Sequence, residues 1–99
     1  MNDIIVEFFN KLIQDEKEYG NFQAKSVFNQ LKGTKMEKNQ ELVFDFYHYL
    51  FTHDIIRHGI DFNNIEPFTT FTRFGRTLIE NEARRIAMFE EFLKIHGHS

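Results

Sequence analysis

Thirteen phenylalanines stand in this chain of 99 residues, and most of them fall, together with other apolar residues, at the spacing of a helix. That spacing puts apolar side chains on one face of a helix. Large rings also bury enough area to give a short chain a core of its own. A Phe-rich helical core is therefore expected, with an exposed aromatic patch for a protein partner as the alternative.

Ile5, Phe8, Phe9, Leu12 and Ile13 form the first stripe, with Asn2 or Asp3 as the cap and Gly20 as the stop. Ala24, Val27, Phe28 and Leu31 repeat the spacing from a cap at Asn21 to a stop at Gly33. Thr34 and Glu37 have the spacing of a capping box. A third helix is expected from there or from Asn39. Leu42 to Phe51 is almost continuously apolar, and its length and lack of alternation favour a central helix over a strand. Asp54 to His58 is read as its continuation or as a short extra helix. Residues 59–68 read as a packed loop, with Asn63-Asn64 as turn chemistry and Pro67 excluding helix before it. Thr69 or Thr70 is expected to cap a last helix that stops at Gly97. One of its stripes is Phe71, Phe74, Leu78, Met88, Phe92 and Ile95, and the other is Ile79, Ala83, Ile86, Phe89 and Leu93.

The expected fold is all-α: one domain over residues 1–99, a compact bundle of four main helices near 3–19, 22–32, 37–57 and 70–96. A sheet of three or more strands would overturn this fold. The expected core is Phe8, Leu12, Phe28, Leu31, Val43, Phe46, Leu50, Ile79, Ile86 and Phe89.

The formal net charge is −3, and it is unevenly spread. Residues 21–40 set Lys25, Lys32, Lys35 and Lys38 against Glu37 alone, and residues 68–85 set Arg73, Arg76, Arg84 and Arg85 against Glu80 and Glu82. Acidic stretches flank both islands. Mixed signs of this kind suit either a partner surface or neutralisation within the molecule.

Signals of enzyme chemistry are sparse. The chain has no cysteine, which removes disulfides and thiolate ligands and makes a reducing, cytoplasmic setting the expectation. Ser26 and Ser99 lack the tight glycine turn that presents a nucleophile, and Gly33-Thr34-Lys35 lacks the spacing of a phosphate loop. Asp15-Glu16 and Glu90-Glu91 are consecutive, point apart on a helix, and read as solvated faces. His53 and His58 lie about 140° apart around a helix. Asp54 and His58 could share an ion without completing a zinc site, and His96 and His98 sit near the chain end. No metal, cofactor or small-molecule substrate is expected. Apolar runs are too short to cross a bilayer, and the acidic Met1-Asn2-Asp3 start does not suggest a secretory signal.

The most motif-like stretch is Pro67-Phe-Thr-Thr-Phe-Thr-Arg-Phe-Gly-Arg-Thr-Leu. With Val43-Phe44-Asp45-Phe46-Tyr47 ahead of it, it resembles the winged-helix-like C-terminal segment of poxvirus-type primase–helicases of phages and plasmids. The resemblance covers residues 42–80 and carries no active site. It implies a helix-turn-helix or winged-helix-like unit within residues 37–80, the winged variant with a short β-wing around 59–72, in which Thr69, Thr70, Arg73 and Arg76 face phosphates or bases. From the two basic islands, Lys25, Lys32, Lys35, Lys38, Arg84 and Arg85 are expected to help. Phe74, Met88, Phe92 and Ile95 are the expected contacts with a protein partner or a second copy. The functional expectation is a small non-enzymatic accessory protein of a phage or mobile element that binds DNA together with a replication or regulatory protein. The alternative is a pure protein–protein module: an inhibitor, immunity or adaptor protein.

Overall fold

The computed structural model describes residues 3–60 and 65–96. Its elements run α1 (Asp3–Tyr19), α2 (Ala24–Gln30), α3 (Lys35–Lys38), α4 (Gln40–Thr52), β1 (Ile56–Ile60), β2 (Ile65–Phe71), α5 (Arg73–Glu80) and α6 (Glu82–His96). The described residues are mostly helical, but in place of four helices and a loop they form six helices and a two-stranded antiparallel sheet.

Phenylalanine rings organise the centre. Phe9 of α1 meets Phe46 of α4, Phe71 of β2 and Phe89 of α6 edge-on, at ring-centroid distances of 6.1, 5.6 and 5.6 Å. Phe46 in turn meets Phe92 at 5.0 Å. Edge-to-face pairs at these distances add to the area each ring buries. Phe8, Leu12, Leu31, Val43, Phe46, Leu50 and Phe89 are buried as expected. Phe28 and Ile79 are only partly buried against this core.

Two boundaries around α4 depart from the sequence reading. Thr34 does cap α3, accepting from the N–H of Met36, but the helix breaks at Asn39 and restarts as α4. Helix α4 then stops at Thr52 rather than running to residue 57. Asp54 takes the left-handed conformation (φ 58°), and the N–H of Ile55 returns to the carbonyl of Leu50 while that of Asp54 returns to Phe51. This is the Schellman arrangement, normally built on glycine. With aspartate in the glycine's place, nothing in the sequence announced the stop.

Residues 59–60 and 65–68 are strand rather than loop. Gly59-Ile60 end β1 and residues 65–68 begin β2; the Asn63-Asn64 turn lies outside the described residues. Ile56 pairs with Phe71, Arg57 with Thr70 and His58 with Thr69, and a bulge lies between His58 and Ile60. The other edge of β2 is covered too. Phe22, between α1 and α2, exchanges both backbone hydrogen bonds with Thr69, at 2.9 and 2.7 Å.

The last helix is two helices, and neither Thr69 nor Thr70 caps it, because both belong to β2. Thr72 is the cap of α5, its hydroxyl accepting from the N–H of Gly75 at 2.9 Å. Asn81 is extended and accepts from the N–H of Arg84 to start α6. The break resets the helical phase. Met88, Phe89 and Phe92 face the core, while Ile86, an expected core residue, is 36% exposed. The expected caps and stops at Asn2 and Gly97 lie outside the described residues.

Candidate functional site

The motif-like stretch turns out to be a joint between elements. The Thr72 hydroxyl serves α5 and also donates to the carbonyls of Asp54 and Ile55 at the end of α4. Its own N–H donates to Ile55 O at 3.0 Å. Gly75 packs so closely on that carbonyl that an added Cβ would lie 2.1 Å from the oxygen. One turn on, Arg76 reaches across to α1, where its Nη1 donates to Glu16 Oε1 at 2.7 Å. The other Glu16 oxygen accepts the N–H of Phe71 at 2.7 Å. Thr72, Gly75 and Arg76 are thus each explained by the fold they hold together.

This joint also corrects the reading of Asp15-Glu16 as a solvated face. Both are buried, Asp15 paired with Lys11 at 3.0 Å and Glu16 clamping three elements. A buried carboxylate needs such partners, and the partners come from residues 55 and 60 positions away, beyond the reach of local pattern.

The residues expected to face nucleic acid are dispersed. Thr69 is buried in β2, its hydroxyl 3.4 Å from that of Tyr47, so it cannot present a donor to phosphate. Thr70 is half-buried in the same strand. Arg76 is held by Glu16, and Lys35 pairs with Glu7 at 2.9 Å. Arg85 is half-buried, donating to the carbonyl of Ile79 at 2.7 Å, which caps the end of α5. Lys25, Lys32, Lys38, Arg73 and Arg84 are exposed.

The residues expected to meet a partner divide differently. Phe92 is fully buried under Tyr49 and Phe46, so it is core and not contact surface; the re-phased α6 turned it inward. Met88 is also buried, but it lines a groove that Phe74 lines as well. This groove, about 470 Å³ between the end of α4, α5 and α6, has Ile55, Leu78, Ala87 and Met88 as apolar lining and Phe74 as one wall. Tyr49, His53, Arg84 and Glu91 supply its polar part. Phe74 is 51% exposed, an uncommon state for so large an apolar ring, and Ile95 of α6 is 58% exposed.

The polar part of the groove is ordered. The Tyr49 hydroxyl donates to Glu91 Oε2 at 3.3 Å, and the His53 ring stacks on Tyr49 at 3.9 Å. Burial first, and then the neighbouring Glu91 carboxylate, push the Tyr49 hydroxyl up to about 12. Burial likewise raises Tyr47, partly offset by its contact with Thr69. The Arg84 side chain has no hydrogen-bond or ion-pair partner among the described residues. A second, smaller hollow of about 170 Å³ lies between α2 and α4, walled by Phe28 and the half-exposed Phe44.

Of the groove residues, Phe74 and Met88 were expected as partner contacts and Arg84 as a nucleic-acid contact, whereas Tyr49, His53, Ile55, Leu78, Ala87 and Glu91 were given no binding role. The signal for α6 was there: Arg84, Ala87, Met88 and Glu91 follow the spacing of one helix face. Among the described residues no three His, Asp or Glu side chains gather as metal ligands, and no helix is long and apolar enough to cross a membrane. His98 lies outside the described residues. Comparison of the chain with protein-family models, with curated proteins and with solved structures finds no match.

Proposed function

We propose that this chain is a non-catalytic interaction module working through protein–protein contact at the α4–α5–α6 groove. One observation carries the reading: a half-exposed Phe74 ring stands over an apolar hollow with the guanidinium of Arg84, unpaired among the described residues, at its edge. An aromatic anchor beside a pocket, with arginine nearby, is the usual makeup of an energetic centre in an interface. The alternative use of the same segment loses its main groups, because Thr69 and Arg76 serve the fold.

DNA contact, with or without a protein partner, is the second reading, and element order favours it. A helix, one bridged residue at Phe22, three further helical segments (α2, the single-turn α3 and α4) and an antiparallel strand pair come close to the winged-helix order. Lys25, Lys32 and Lys38 are exposed on α2, the following turn and α3. Against it, the outward face of α4, which would enter the groove of a duplex, carries Glu41 and Asp45, and carboxylates there repel phosphate.

The test pairs two variants. Phe74→Asp should abolish capture of a protein partner from the native host while leaving the melting temperature nearly unchanged, since that ring is half in water. Lys25→Ala/Lys32→Ala/Lys38→Ala should leave capture intact. Salt-sensitive retention on duplex DNA that the triple variant removes would establish the second reading. Partner capture that survives Phe74→Asp would sink the first.

A further inference from the structure

Building on the reading of the groove as a contact surface, we infer that its occupant is a second copy of this chain, bound about a two-fold axis with the two α6 helices antiparallel. The argument is the charge pattern of the groove's own helix. Arg84, Ala87 and Glu91 are exposed on α6, and all three line the groove together with Met88. Seven residues span almost two full turns, so Arg84 and Glu91 lie on one face about 10 Å apart. The midpoint between them falls between Ala87 and Met88. An antiparallel copy centred on that midpoint therefore sets Arg84 opposite the second copy's Glu91, and Glu91 opposite the second copy's Arg84.

A two-fold interface must be self-complementary in this sense, with residue i meeting j and j meeting i. Other features of the face agree. Ala87, at the centre, is small, so two helices can approach closely there. The Glu91 carboxylate is already oriented by the Tyr49 hydroxyl through Oε2, and Oε1 remains for a cation. Arg85 takes no part, being held on the carbonyl of Ile79. Phe74 and Ile95 are the most exposed large apolar side chains of α5 and α6, and a partner lying along α6 would take both out of water.

Sedimentation velocity over a concentration series of the full chain tests the pairing. Wild type should be a dimer. Arg84→Glu and Glu91→Arg each turn two attractive pairs into two repulsive ones, so each should weaken the dimer about a hundredfold or more. Circular dichroism melts at a concentration low enough for wild type to be monomeric should show both variants folded, with Glu91→Arg lowered only by loss of the 3.3 Å bond from Tyr49. Mixing the two single variants should restore a dimer, because every opposed pair is then complementary, and the charge-swapped double variant Arg84→Glu/Glu91→Arg should dimerise by itself. A wild type that stays monomeric, or single variants that stay dimeric, overturns the inference, as does a mixture that fails to recover. If wild type is monomeric while Phe74→Asp still loses partner capture, the second copy is wrong and the groove reading stands. If the swap pattern is seen and Phe74→Asp leaves capture intact, the groove serves self-association alone and the proposed capture role fails.

Discussion

Replacing Glu16 with alanine should destabilise this protein more than removing its ion-pair partner, and the difference can be worked out from the clamp. One Glu16 oxygen accepts the buried N–H of Phe71 and the other accepts from Arg76, both at 2.7 Å. The glutamate side chain is 8% exposed, whereas that of Arg76 is 54% exposed. A buried donor left without an acceptor costs about 1–3 kcal/mol. An ion pair with one half in water contributes about 1 kcal/mol or less. Glu16→Ala loses both and should cost about 2–3 kcal/mol. Glu16→Gln keeps an acceptor for the amide and should cost about 1 kcal/mol, as should Arg76→Ala. For a domain of this size each kcal/mol moves the melting temperature by about 4–8 °C, so the alanine variant at position 16 should melt at least about 8 °C lower than wild type. Calorimetry on the three variants and on Glu16→Gln/Arg76→Ala would separate the terms by a double-mutant cycle. If Arg76→Ala proves as costly as Glu16→Ala, the guanidinium rather than the strand amide is what Glu16 is buried to meet, and the reasoning fails. The outcome also bears on function, because an Arg76 that contributes nothing to stability would be free for another partner.

The close approach at Gly75 predicts that Gly75→Ala costs about 3 kcal/mol or more, since the new Cβ would meet the fixed carbonyl of Ile55; a denaturant midpoint equal to wild type would show that α5 can shift freely. The raised Tyr49 hydroxyl makes the folded state hold its proton more tightly than the unfolded chain does. Its stabilisation is therefore complete below about pH 10 and lost as pH rises from there to about 12. Urea midpoints measured across that range should fall less steeply in Tyr49→Phe, with a remnant from Tyr47, whose hydroxyl is raised in the same direction; parallel declines would refute the assignment.

Periodicity by itself determined α1, most of α2 and the body of α4, because apolar spacing along one helix is set by neighbours three and four residues away. Gly20 marked a real stop, and Gly33 lies in the turn just beyond α2, both at positive φ, since glycine advertises that conformation. The aromatic core was legible for the same reason. What periodicity could not decide is where a continuous pattern breaks. Asp54 ends α4 in glycine's role, and a single extended residue, Asn81, splits the last helix and turns Phe92 inward and Ile86 outward. Nor could it assign partners to the motif around Thr72, Gly75 and Arg76, whose spacing suits a phosphate contact as well as a joint. Its partners in the structure are the carbonyl of Ile55 and the carboxylate of Glu16, about 20 and 60 residues earlier in the chain. The groove divides in the same way: its α6 face was written in the sequence at helical spacing, whereas Tyr49, Ile55 and Leu78 reach it only because packing of the Phe core brings three elements to one place.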